Sequence, residues 1–182
     1  MCDSISRFHG REQNDSMMPE TAPKITIRPA TAGDHEFLVA LFASTRTDEL
    51  QALSWDPVQA QMFINIQYNA QQQSYRLGYP SAENNIIMSD EQPVGRMLVD
   101  RTSDVIRLVD IAILSEHRNL GLGSYVISSL LDEGIKTRRP VKLSVFQTNP
   151  AIHLYERLGF QITGTESLYL DMSRFPPEDT TS

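Results

Sequence analysis

The segment Arg118-Asn119-Leu120-Gly121-Leu122-Gly123 constrains this chain more than any other. It follows an apolar run, Val105 to Leu114, and opens an amphipathic segment, Ser124 to Lys136. A strand that passes through a glycine turn into a helix leaves the first amide N–H groups of that helix without intrahelical acceptors. With the positive end of the helix dipole, they suit an anion such as a pyrophosphate. Two glycines let the backbone approach a ligand closely, and Arg118 adds a planar charged fork for phosphate oxygens.

Several kinds of phosphate loop share parts of this pattern. A Walker A loop needs Lys-Ser/Thr directly after its last glycine, and Ser124-Tyr125 stands there instead. A dinucleotide fingerprint needs a third glycine where the chain has Val126, and an acidic residue near Pro140-Val141, where none occurs. An ordinary glycine turn between strand and helix is equally compatible with six residues taken alone.

A second segment, Asn149-Pro150-Ala151-Ile152-His153-Leu154-Tyr155-Glu156-Arg157-Leu158-Gly159-Phe160, reads as a short helix. Asn149 is expected as its N-cap, Pro150 as its first helical residue and Gly159 as its stop. Ahead of it, Val141, Leu143 and Val145 alternate with Lys142, Ser144 and Phe146, the pattern of a strand with one buried face. The predicted order is strand, phosphate loop, helix, strand, short helix, strand.

With these two segments in order, Arg118-x-x-Gly121-x-Gly123 and then Asn149-x-x-x-x-x-Tyr155-x-x-x-Gly159-Phe160, the chain resembles the GNAT N-acetyltransferase superfamily. The resemblance spans Ile25 to Met172, is densest from Val105 to Phe160, and is nearest to a bacterial branch of the family through residues such as Gln67, Tyr75-Arg76 and Val94-Gly95-Arg96. It implies an α/β fold: a central mixed, largely antiparallel sheet of about seven strands flanked by helices. It also implies acetyl-CoA as co-substrate and transfer of its acetyl group to a primary amine of a small molecule or peptide, by direct attack in a ternary complex. A catalytically degenerate module that binds coenzyme A or a protein partner would share the same motifs.

The resemblance assigns the cofactor to Ile111, Ala112 and Ile113, whose backbone would hold the pantetheine arm and polarise the thioester, to Arg118, Asn119, Leu120, Gly121, Leu122, Gly123 and Ser124 for the pyrophosphate, and to Asn149. Oriented N–H donors at a developing oxyanion are often the largest catalytic contribution. Tyr155 takes the role of general acid, because a phenol is protonated at neutral pH and can donate to a departing thiolate. Aromatic packing with Ile152 and Leu158 would also explain it. The glutamate that some members carry as general base falls at Val109, so Asp110 is the nearest carboxylate candidate, as a modest base or as a structural group. Tyr68, Tyr75, Tyr79 and Arg76 lie where the family forms its acceptor pocket.

Length and charge narrow the reading further. The 182 residues suffice for one domain with a full core. A formal charge of −7 and the lack of a Lys/Arg stripe argue against a nucleic-acid surface. The single cysteine, Cys2, allows no intrachain disulfide. His9, His35, His117 and His153 lack metal-ligand spacing, so no metal is expected, and no apolar run reaches membrane-span length. These features suit a cytoplasmic enzyme and allow a homodimer. Residues 1–22 read as a polar, disordered leader, 23–175 as the domain and 176–182 as a flexible tail.

The rest of the chain reads as a strand at Ile25 to Ile27, a helix with Phe37, Leu38, Leu41 and Phe42 inward, and a helix from Asp56-Pro57 with Met62, Phe63, Ile66 and Ala70 as its inward stripe. A hairpin follows: Glu83 to Ser89, a turn at Asp90 to Pro93, and Val94 to Val99.

Overall fold

The computed structural model describes residues 23–46 and 55–177; the leader (1–22) and the end of the tail (178–182) lie outside the described residues. A seven-stranded sheet runs in the order β1-β2-β3-β4-β5-β7-β6. Its strands are β1 (Ile25–Pro29), β2 (Glu83–Ser89), β3 (Gln92–Arg101), β4 (Ile106–Ile113), β5 (Val141–Phe146), β6 (Gln161–Glu166) and β7 (Tyr169–Arg174). Every neighbouring pair is antiparallel except β4 and β5. A parallel pair needs a crossover, and the helix α3 (Leu122–Thr137) supplies it. The expected sheet is therefore present.

Helices cover both faces. On one face α3 and the short α4 (Ile152–Arg157) bury Leu122, Val126, Ile127, Leu130 and Tyr155 against Val99, Ile106, Leu108, Val141 and Leu143. On the other, α1 (His35–Ser44) and α2 (Pro57–Gly78) pack Leu38, Phe42, Ile64 and Tyr68 over Ile86. Burying each such side chain stabilises the fold by about 1.5–3 kcal/mol.

Local chemistry explains most boundaries. Asp56 caps α2: its Oδ1 accepts from the N–H groups of Val58 (2.8 Å) and Gln59 (3.0 Å), and Pro57 occupies the first turn. Only Asp90 and Glu91 turn the β2–β3 hairpin, with φ of 45° and 69°, as the primed two-residue turns require. The ladder thus begins at Gln92, two residues before the sequence-predicted strand.

The inward stripe of α2 differs from expectation. Ile64 and Tyr68 are buried, while Met62 (66 %) and Ile66 (56 %) are exposed and Ala70 faces out. Tyr68 decides the rotation, meeting His35 and Phe42 edge-on at 5.8 and 5.6 Å. The helix is apolar on more than one side, so periodicity alone could not choose between the two stripes.

Candidate active site

The sheet opens at its centre. β4 pairs with β5 only through Ile106–Val141, Arg107–Lys142 and Leu108–Leu143, although β4 runs on to Ile113 and β5 to Phe146. Within β4, Leu98 pairs with Asp110 and Val99 with Leu108, which leaves Val109 as the extra residue of a β-bulge. A bulge bends its strand and resets which side each residue faces. Ile106 and Leu108 belong to the core beneath α3, and beyond the bulge Ile111, three residues after Leu108, and Ile113 pack against that same core. Asp110 is turned to the opposite face, towards α2, where uninterrupted alternation would have put it with Ile106 and Leu108.

The register also fixes the backbone. Leu114 N–H donates to Val94 O at 2.9 Å, and antiparallel pairs alternate between bonded and non-bonded. Ile113, opposite Gly95, and Ile111, opposite Met97, therefore direct their N–H and C=O groups away from β3, into the gap beside β5. Consistent with this, Ile113 O accepts from Arg118 Nε at 2.8 Å. Ala112, opposite Arg96, spends its backbone groups on β3.

At the mouth of the gap the chain coils into α3. Asn119 and Gly121 are left-handed, with φ of 60° and 82°. Gly121 is the N-cap residue of α3, and the first intrahelical bond runs from Tyr125 N–H to Gly121 O at 3.0 Å. The amides of Leu122, Gly123 and Ser124 thus have no intrahelical acceptor. Leu122 is buried and anchors the turn, while Arg118, Asn119, Leu120 and Gly121 are exposed. A Cβ on Gly123 would lie 3.3 Å from Leu154 Cδ2 and 3.7 Å from Ile113 Cδ1, so this position joins α3, α4 and β4. The sequence-predicted phosphate loop is thus an amide-lined helix start next to the free edge of β4.

On the far side of the gap stands α4. Tyr155 is buried, its ring edge-on to Phe160 at 5.9 Å, and its hydroxyl has no hydrogen-bond partner among the described residues. Burial, and then the charge of Asp110, push this phenol up to about 12, so it holds its proton throughout the neutral range. Asn149 Oδ1 accepts from Ala151 N–H at 2.9 Å and Asn149 O from Ile152 N–H at 3.2 Å. It caps a turn that leads into α4, and the regular helix starts at Ile152 rather than at Pro150.

The opposite face carries a polar cluster that motif spacing did not reveal. Arg96 in β3 is buried; its Nε donates to Asn84 Oδ1 (2.7 Å), Nη2 to Gln72 Oε1 (3.2 Å) and Nη1 to Asp110 Oδ2 (3.4 Å). Its guanidinium carbon stands 5.4 Å from the centre of the Tyr75 ring. Burial pushes the Asp110 carboxyl above the usual carboxylate range, against the pull of Arg96, the Ile111 amide and Arg46. The Tyr75 phenol is pushed up too, mainly by burial and then by Asp110. An arginine inside the apolar run Val94 to Val99 was the available signal, since a buried guanidinium needs partners. Of the other acceptor-pocket candidates, Tyr68 belongs to the core beneath α1, and Arg76 is exposed.

Among the described residues no group of His, Cys, Asp and Glu could hold a metal, and no helix is long and apolar enough to cross a membrane.

Residues 81–162 match the family profile of an acetyltransferase (GNAT) domain. Among solved structures, the PaiA N-acetyltransferase of Thermoplasma acidophilum, in complex with coenzyme A, is similar at 15 % identity and TM-score 0.63, over 84 % of this chain and 99 % of that one. A protein from Corynebacterium glutamicum described as histone acetyltransferase HPA2 and related acetyltransferase gives 20 % identity and TM-score 0.61, over 88 % and 99 %. An acetyltransferase of Thermus thermophilus gives 17 % and 0.60, over 83 % and 96 %. No protein of curated function matches the chain. The bulged β4, the loop into α3 and α4 with Tyr155 thus lie within the stretch that matches a GNAT domain, and the seven-stranded sheet around them has the fold of solved acetyltransferases.

Proposed function

We propose that this protein is an acetyl-CoA-dependent N-acyltransferase that acetylates a primary amine directly in a ternary complex. The observation that carries the reading is the gap between β4 and β5, with the backbone of Ile111 and Ile113 facing into it and the start of α3 at its mouth. The residues present fit coenzyme A. Leu122, Gly123 and Ser124 offer amides to the pyrophosphate, Arg118 and the Asn119-Leu120-Gly121 coil border it, and the pantetheine extends along Ile111 to Ile113 as a strand would. Asn149 lies on the α4 side of the gap. The PaiA enzyme's complex with coenzyme A supports this reading by analogy of fold.

The chemistry follows from the positions. The Ile113 N–H, which is likewise directed into the gap, polarises the thioester carbonyl and stabilises the oxyanion formed when the amine nitrogen attacks. The C–N bond forms, the C–S bond breaks, and the departing sulfur takes the Tyr155 proton. The amine must shed a proton as it attacks. Asp110 is the carboxylate that faces the acceptor side, where it receives that proton directly or through water. Free-thiol release from acetyl-CoA across a panel of primary amines tests the reading: acceptor-dependent release is expected. Tight coenzyme A binding with no acceptor-dependent release from any amine would make the chain a binding module.

A further inference from the structure

A buried arginine stands behind Asp110. Arg96, opposite Ala112 in the β3–β4 ladder, exposes only 6 % of its side chain and donates from all three of its nitrogens. Nε reaches Asn84 Oδ1 at 2.7 Å, Nη2 reaches Gln72 Oε1 at 3.2 Å and Nη1 reaches Asp110 Oδ2 at 3.4 Å. The Tyr75 ring stands 5.4 Å from the guanidinium carbon. Asn84, Gln72 and Tyr75 are neutral, so among the described residues Asp110 is the one anion paired with this charge. Asp110 itself keeps 25 % of its side chain exposed, which leaves it open to an approaching amine.

Gln72 shows what the arrangement favours. Its amide turns Oε1 to Arg96, and Nε2 is left enclosed without a hydrogen-bond partner. An enclosed, unpaired donor destabilises a fold. A glutamate has the same shape, accepts through either oxygen and would leave no donor unpaired. It would also divide the guanidinium charge between two carboxylates, whereas the amide leaves that charge to Asp110 alone.

The other groups that act on Asp110 come from the elements packed around it. Tyr75 of α2 and Tyr155 of α4 are phenols pushed up by burial, and they stay neutral. The Ile111 amide and the charge of Arg46, past the end of α1, favour the carboxylate, and burial opposes it. Asp48 and Glu49, which follow Arg46, lie outside the described residues.

We propose that Arg96 is a positioning residue for the reaction: held by the Asn84 and Gln72 amides, it fixes Asp110 towards the acceptor side and keeps it in the ionised form that a base requires. The inference rests on the acyltransferase reading above, in which Asp110 takes the proton of the attacking amine.

The test compares wild type with Arg96→Gln, Arg96→Lys and Gln72→Glu, using one amine so that its own titration cancels in the ratio of kcat/KM values. Coenzyme A titration checks that each variant is folded. Without the guanidinium, or with its charge shared, Asp110 should hold its proton to a pH higher by about one unit or more. The ratio of variant to wild-type kcat/KM should then rise about tenfold from the acid to the alkaline end of the profile in Arg96→Gln and Gln72→Glu. It should stay nearly flat in Arg96→Lys, which keeps the charge. Gln72→Glu retains Arg96 and the packing around it, so it carries the test even if Arg96→Gln does not fold. A carboxyl NMR titration with isotope-labelled aspartate, the Asp110 signal being identified by its absence in Asp110→Asn, should show the same shift without any turnover. Ratios that are constant with pH overturn the inference, because a residue needed only for the fold lowers the rate equally at every pH. An Asp110 signal that shifts while the ratios stay constant overturns it too, and leaves the acyltransferase reading with another base. If wild type acetylates no amine, that reading fails and the positioning role with it, and the NMR shift then marks Arg96 and Asp110 as a structural pair.

Discussion

Tyr155 and Asp110, the proposed acid and base, are both raised by burial but differ in their partners. The Tyr155 hydroxyl has no hydrogen-bond partner among the described residues, so Tyr155→Phe should leave the melting temperature and coenzyme A affinity unchanged. Turnover should fall by about 10²–10⁴-fold, the usual contribution of a positioned acid or base. Because the phenol sits at about 12, the variant's pH–rate profile should keep the wild-type shape below pH ~10; turnover equal to wild type would leave Tyr155 as a packing residue. Asp110 binds its proton more tightly in the folded than in the unfolded chain. Its protonation therefore adds stability at pH values below the ordinary carboxylate range, and that contribution is lost as pH rises through the raised folded value. Melting curves of wild type and Asp110→Asn should show the variant gaining relative stability from pH 4 to pH 8; a relative loss over that range would mean that the Arg96 pair outweighs burial. The residue types were legible in the sequence, but the environments were not, because the bulge at Val109 that turns Asp110 towards Arg96 adds one residue without any composition of its own.

At the scale of elements, the gap depends on how closely β3 approaches β4. Gly95 stands opposite Ile113, and a Cβ there would lie 2.6 Å from Ala112 O, a contact with backbone that has no flexible end to yield. Gly95→Ala should thus cost about 1–3 kcal/mol of stability and weaken coenzyme A binding through displacement of Ile111 and Ile113. Chemical denaturation with a parallel binding titration checks both effects; full stability would show that the two strands separate without strain. The strand–loop–helix unit and the α4 segment were readable because glycine, proline and alternation punctuate them. The rotation of α2 was not. Val58, Met62, Phe63, Ile64, Ile66 and Tyr68 make more than one apolar stripe, and contact with Phe42 and His35 chose between them.

Across the whole molecule, the closed end of the sheet is tied while the other end opens. Arg101 at the end of β3 donates to Glu133 of α3 at 2.9 Å and to Glu83 of β2 at 2.9 Å, and Arg139 reaches the same Glu133 at 3.2 Å. This network lies at the end where β4 and β5 pair, away from the gap. Among the described residues both core clusters come from elements after Pro23, so a chain beginning at Pro23 should keep the melting temperature and coenzyme A affinity of the full chain. A lower melting temperature would show that the leader packs on the domain. The central claim is that coenzyme A binds with its pyrophosphate on the amides at the start of α3. The most direct test is calorimetric titration of coenzyme A into wild type, Gly121→Ala and Gly121→Asp. Nothing lies within 4 Å of a Cβ at this position, so the alanine variant reports only the strain of a left-handed φ of 82°, and the aspartate adds a negative charge at the phosphate site. The account predicts one-to-one binding to wild type, a small loss in Gly121→Ala and a loss of at least about 100-fold in Gly121→Asp, with both variants folded. Equal affinity in wild type and Gly121→Asp would contradict it.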